Sequence, residues 1–217
     1  MKLKLIKLLI VGIVALAGMQ VAYAGPLSLT LDDGSTTITL NSPTGDPIVF
    51  IGSIGTWTFN VTTGVGSNAL GQYRMDLSTF DLASAPGTLT ITLTETGLTP
   101  VPASPVWNMN VGGTIDLPAG STATYSAYAD SVGSGNTLIG TLGPFNPIAF
   151  SGSKSGSVPG LTDPFSLTEV LTITATGAGS YSSDSSLAPL PEPTTILLFG
   201  SGLAGLALWK RRKGSKL

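Results

Sequence analysis

Thr88-Leu89-Thr90-Ile91-Thr92-Leu93-Thr94-Glu95 carries a large aliphatic side chain at every second position and threonine at the positions between. A period of two places these sets on opposite faces of a β-strand, one for a core and one for water. Threonine suits the wet face, because its branched Cβ fits the pleat and its hydroxyl meets solvent.

The same alternation recurs upstream in Leu27, Leu29 and Leu31, and again in Trp57, Phe59 and Val61 with Thr56, Thr58 and Asn60 between them. Further strands are expected at Thr36 to Leu40, Ile48 to Ile51, Asp76 to Leu82, Gly112 to Leu117, Ser121 to Ala129, Thr137 to Leu142 and Leu167 to Thr176. Gly, Pro, Asn and Asp separate them, and Asp32-Asp33-Gly34 is a hairpin signal, because Asp and Gly accept the backbone of tight turns. About nine to eleven short strands without helical period predict an all-β antiparallel β-sandwich, with jelly-roll type and closed barrel both compatible. No fixed repeat period is present. The Ser- and Gly-rich segment Gly177 to Ala188 reads as a last edge strand followed by a short linker.

Charge is distributed unevenly. Of ten basic residues only Arg74 and Lys154 lie between Gly25 and Leu190, whereas eleven acidic residues do, so this segment carries 2 − 11 = −9. Such a surface repels phosphate backbones, and nucleic acid is excluded as a partner. The chain has no Cys and no His, which removes thiol nucleophiles, Ser-His triads, disulfides and the usual zinc or haem ligands. No cofactor is expected, and packing alone must hold the domain together.

Lys2, Lys4 and Lys7 precede the apolar run Leu8 to Met19, and Ala22-Tyr23-Ala24 puts small side chains where signal peptidase needs them. Residues 1–24 therefore read as a signal-peptide helix cleaved between Ala24 and Gly25. About twelve apolar residues make roughly 18 Å of helix, too short to cross a bilayer core of about 30 Å.

At the other end Pro191-Glu192-Pro193 precedes an uncharged stretch from Thr194 to Trp209 and the basic run Lys210-Arg211-Arg212-Lys213. The two prolines fix φ, remove amide donors and bias Glu192 away from helix, leaving an extended tripeptide that a processing enzyme can bind. The apolar stretch predicts a single short helix, and the basic stop stays cytoplasmic, so everything from Gly25 to about Leu190 is outside. A plain single-span anchor is the simpler alternative. A sortase signal fits less well, because Pro193 stands where Thr is needed.

This three-part tail resembles the PEP-CTERM sorting signal of Gram-negative bacteria. The resemblance implies recognition by an exosortase, a membrane-embedded cysteine protease or transpeptidase, after transient membrane insertion of the tail. It also implies delivery to the cell surface or extracellular matrix, often beside exopolysaccharide and biofilm loci. The phrase Gly52 to Gly64 is similar to a recurrent β-domain of such proteins whose function is not established. The resulting organisation is a signal peptide over 1–24, an extracytoplasmic sandwich over 25–188, a sorting signal over 189–213 and a polar tail over 214–217.

Catalytic chemistry is hard to place. Asp32, Asp33, Asp46, Asp76, Asp81, Asp116, Asp130 and Asp163 offer oxygens for calcium, but their spacing matches no calcium loop and turn capping explains them better. Glu95 and Glu169 are the only glutamates in the domain and are expected as solvent-facing strand charges, not as a glycosidase pair. Trp57 reads as core, whereas Trp107, near Pro102 and Pro105, is the expected exposed aromatic of a sugar-binding face. Asn60-Val61-Thr62 matches a glycosylation sequon but lies in a strand and is read as chance. The expectation is a non-enzymatic surface or matrix protein with a structural or interaction role in exopolysaccharide or biofilm. The alternative is a carbohydrate-binding module docking to exopolysaccharide.

Overall fold

A computed structural model describes residues 25–67, 73–102, 105–131, 136–146, 148–190, 200–202 and 205. The expected signal helix, Ala22, Ala24, the tripeptide Pro191-Glu192-Pro193 and the basic run Lys210 to Lys213 lie outside the described residues, as does the side chain of Val61. Residues 200–202 and 205 are helical, and among the described residues no helix is long and apolar enough to cross a membrane.

Twelve strands among the described residues form two antiparallel six-stranded sheets that pack as a sandwich. In chain order they are β1 (Leu27–Asp32), β2 (Thr37–Ser42), β3 (Ile48–Ile54), β4 (Trp57–Val65), β5 (Met75–Ala83), β6 (Gly87–Leu98), β7 (Val106–Asp116), β8 (Thr122–Ser131), β9 (Thr137–Phe145), β10 (Ala149–Ser157), β11 (Phe165–Ala175) and β12 (Gly179–Pro189). The first sheet runs β2-β1-β6-β11-β8-β9 and the second β10-β7-β12-β5-β4-β3.

Local chemistry sets the first hairpin. Asp32 Oδ1 accepts the Gly34 amide at 2.7 Å, and Asp33 Oδ1 accepts those of Ser35 at 2.9 Å and Thr36 at 2.7 Å. Gly34 takes φ 85°, a region glycine enters without a Cβ clash. These turn bonds hold the Asp33 carboxyl below its ordinary pKa.

The two inner faces differ. The first sheet contributes aliphatic rows such as Leu29, Leu93 and Leu31, Ile91, Leu171, all buried. The second contributes Trp57, Phe59, Trp107 and Tyr181 together with buried Thr62, Thr79, Ser183 and Ser185. On the outer face of the first sheet threonines pair across strands: Thr30 with Thr39 at 3.2 Å, and Thr94 with Thr168 at 3.1 Å. A register shift between Phe59 and Val61 changes the phase of β4, so the buried positions after it are Thr62 and Gly64.

The sandwich and its antiparallel pairing agree with the sequence reading, but three assignments need correction. Residues Ala149–Ser157 form β10, where no strand was expected, because its Ser-Gly-Ser-Lys-Ser pattern has no apolar alternation. The Ser-rich segment is not an edge: β12 lies between β7 and β5 and is paired along its length on both sides. Trp107 is not exposed, because β7 starts at Val106 and turns that side chain inward. It is fully buried, with Tyr73 edge-on at 6.3 Å and Phe165 tilted at 6.1 Å. Removing a packed indole costs transfer free energy and leaves a cavity. Trp107→Ala should lower stability by about 3–5 kcal/mol in chemical denaturation; a loss under about 1 kcal/mol would show that the ring packs against little.

Candidate functional site

The outer face of the second sheet carries a groove of about 540 Å³ over β10, β7 and β12. Antiparallel register builds it. Ser151 faces Gly112, which faces Asp184, which faces Ser78, and in the next row Ser153 faces Asn110, which faces Ser186, which faces Asp76. Directly opposed residues share a face of the sheet, so hydroxyl, amide and carboxylate groups gather on one surface. Gly112 adds no side chain; a Cβ there would come only within 3.7 Å of the Phe150 carbonyl, so its absence leaves the groove floor open.

Several of these groups are already oriented. Ser78 Oγ donates to Asp184 Oδ1 at 2.6 Å, with Asp76 Oδ1 at 3.3 Å from the same hydroxyl. Asn108 Nδ2 donates to Asn110 Oδ1 at 3.3 Å, and Ser155 Oγ to Asn108 Oδ1 at 3.2 Å. Burial and the nearby Asp184 charge push the Asp76 carboxyl up from its ordinary value. Beside the groove, Phe80 faces Ser182 and is 38% exposed, and Leu82 continues the apolar strip. The arrangement offers donors, acceptors and one exposed ring to a hydroxyl-rich ligand. Asp184 was not singled out from sequence, because the surrounding serines hide its strand and its cross-strand neighbours.

The glutamates expected at the surface are inside. Glu95 on β6 and Glu169 on β11 are both fully buried, and Glu95 faces Leu167 while Glu169 faces Leu93. The register therefore makes them diagonal neighbours on the inner face. The cause is the alternation itself: Glu95 continues the inward set Leu89, Ile91 and Leu93, and Glu169 lies between Leu167 and Leu171. Asp81 is buried in the same way on β5.

Among the described residues no cation acts on Asp81, Glu95 or Glu169. Burial dominates and pushes Glu169 up to about 8, against a 2.5 Å hydrogen bond donated by Tyr125 that pulls the other way. Burial likewise raises Asp81 to about 7, opposed by the Thr79 hydroxyl at 2.7 Å, and Glu95 is raised less strongly. Each of the three leaves one carboxyl oxygen without a partner, and in Asp81 and Glu169 that oxygen is where a proton sits most readily.

The remaining aspartates largely serve turns. Asp46 accepts from Thr44 at 2.6 Å, and Asp163 accepts the Val101 amide at 2.6 Å. Among the described residues no group of three or more His, Cys, Asp or Glu could hold a metal ion. At the C-terminal end of the domain, Pro189 faces Trp107 in the sheet, and the Leu190 amide donates to the Val106 carbonyl at 2.8 Å. Pro191 is the next residue, so no stalk separates the sandwich from the proline-bracketed tripeptide.

Residues 189–213 match the family model of the PEP-CTERM protein-sorting motif, and the match spans Pro191-Glu192-Pro193 and Lys210 to Lys213. This motif marks a protein for export and exosortase processing in Gram-negative bacteria. No curated protein matches the chain. Among solved structures, the xylan-binding module CBM15 is similar over 76% of this chain and 93% of its own, at 10% identity and a TM-score of 0.37. TmCBM61 in complex with β-1,4-galactotriose is similar over 68% and 92%, at 9% identity and a TM-score of 0.36. A cleaved adhesin domain of Lys-gingipain from Porphyromonas gingivalis is similar over 68% and 100%, at 11% identity and a TM-score of 0.30. These are distant likenesses and say nothing of what this chain binds.

The buried carboxyls fix the sign of the pH response. Because Glu169 and Asp81 bind protons more tightly folded than unfolded, their contribution is complete below about pH 4 and is lost as pH rises through about 7 and 8. Each such group removes about 1.4 kcal/mol of stability per pH unit inside its window. The thermal midpoint should therefore fall between pH 5 and pH 9, and Glu169→Gln should flatten that slope; a midpoint that rises with pH over the same range contradicts the assignment.

Proposed function

We propose that this chain is exported through a signal peptide cut between Ala24 and Gly25, then sorted by exosortase at Pro191-Glu192-Pro193 to the cell surface or extracellular matrix. The apolar tail holds it in the inner membrane until that cut. The sandwich then acts as a non-catalytic structural or interaction domain in exopolysaccharide or biofilm. The observation that carries this reading is the match at residues 189–213, joined without a spacer to a fully paired strand. The burial of Glu95, Glu169 and Asp81 supports the non-catalytic reading, because a carboxyl closed inside a core cannot meet a substrate.

Intact-mass measurement of surface material tests the sorting step. The wild-type chain should lose everything beyond a point near Pro191, and Pro191→Ala with Pro193→Ala should retain the basic run Lys210 to Lys213. An unchanged mature mass in the double variant counts against exosortase recognition.

A second reading, favoured by the groove over β10, β7 and β12, is that the domain binds exopolysaccharide. Glycan hydroxyls would exchange hydrogen bonds with Asn110, Ser153, Asp184 and Ser186, and a pyranose face would pack on Phe80. Asp184→Ala and Phe80→Ala should each weaken binding to the producer's own polysaccharide about tenfold with little change in melting temperature. Undiminished retention in affinity electrophoresis would place any binding elsewhere.

A further inference from the structure

We propose that Glu95 is the receptor for the α-amino group that signal-peptide cleavage creates at Gly25, so that removing the leader completes the fold by a buried ammonium–carboxylate pair. The inference rests on the cleavage position proposed above and concerns what the new terminus does afterwards.

Gly25 is buried where the chain enters β1. Leu27 faces Glu95 across β1 and β6, and the Thr96 amide donates to the Pro26 carbonyl at 3.0 Å, which holds the segment against β6. A Cβ on Gly25 would lie 1.4 Å from the Thr96 carbonyl oxygen, so no larger residue fits without moving backbone. The first residue after the cut is thus positioned by the sheet.

Glu95 is prepared on its other side. Its Oε2 accepts the Ser67 amide at 3.0 Å and the Ser67 hydroxyl at 2.7 Å, while Oε1 is buried without a partner. Gly66 closes over the carboxyl, with a would-be Cβ 3.0 Å from Oε2. The Gly25 backbone nitrogen also acts on this carboxyl and pulls its pKa down against the effect of burial. Neither Arg74 nor Lys154 contributes there.

In the precursor that nitrogen is an uncharged amide with a single hydrogen. Hydrolysis adds one water across the Ala24–Gly25 bond: Ala24 leaves as a carboxylate, and the Gly25 amine takes up the proton to become an ammonium with three donors. The charge appears beside a carboxyl that has one unpartnered oxygen, where weak screening strengthens the attraction and the Ser67 bonds to the other oxygen help offset the cost of burying both charges. The leader therefore withholds one of the domain's internal bonds until export is finished.

The test compares three chains ending at Leu217: one starting at Gly25 with a free amine, the same chain Nα-acetylated, and one retaining Ala24. The free amine should melt about 2–4 °C above both others, and the gap should vanish in Glu95→Gln. Equal midpoints, or a gap that survives Glu95→Gln, overturn the pairing. Should Glu95→Gln fail to fold, amine reactivity decides in the wild-type chain: Gly25 should acylate at least about tenfold more slowly folded than unfolded, and equal rates overturn the pairing. N-terminal sequencing of exported protein checks the cut separately. Gly25 first is expected, and any other first residue removes the pairing from the cell whatever the comparison of made chains shows.

Discussion

Closure of two inner sheet faces upon each other is what this domain depends on. With no cysteine and only two cations between Gly25 and Leu190, neither covalent bridges nor a lattice of ion pairs shares the load. Burial of apolar area must offset the cost of ordering the chain, and the aliphatic rows of the first sheet against the aromatic set of the second supply it. The same dehydration governs the acids inside. Shut away from water and, among the described residues, with no cation acting on them, Asp81 and Glu169 respond by holding their protons rather than by forcing the sheets apart.

How far the fold can be read from residues alone follows from side-chain chemistry. β6 is legible because Leu, Ile and Thr alternate without interruption over most of its length. β12 is not, because its inward positions are Tyr181, Ser183, Ser185 and Leu187, so hydroxyls stand where aliphatic side chains would announce a core strand. The second sheet tolerates them: Ser185 Oγ donates to the Leu77 carbonyl at 3.1 Å, and Thr62 bonds Thr79 at 2.7 Å. Parity held where polarity misled. Glu95 and Glu169 sit on the positions that alternation assigns to the interior, and expecting charge to seek water sent them to the wrong side.

The groove was illegible for a different reason. Its residues come from β10, β7 and β12, and only register across the sheet brings Ser151, Gly112 and Asp184 into a row with Ser78 of β5 beside them. Pairing of that kind is a property of topology, not of any window of sequence. The sorting tail is the opposite case: its recognition elements are contiguous, so their order along the chain is itself the signal.

The position of β12 also bears on force. Were the domain tethered through its C-terminal end while its other face held a matrix polymer, tension would enter at Pro189 and run along a strand bonded to neighbours on both sides. Load along such a strand shears two ladders at once, whereas an edge strand under the same load would have only one to hold it. The serines that conceal this strand from a reader thus occupy the element best placed to resist being pulled out.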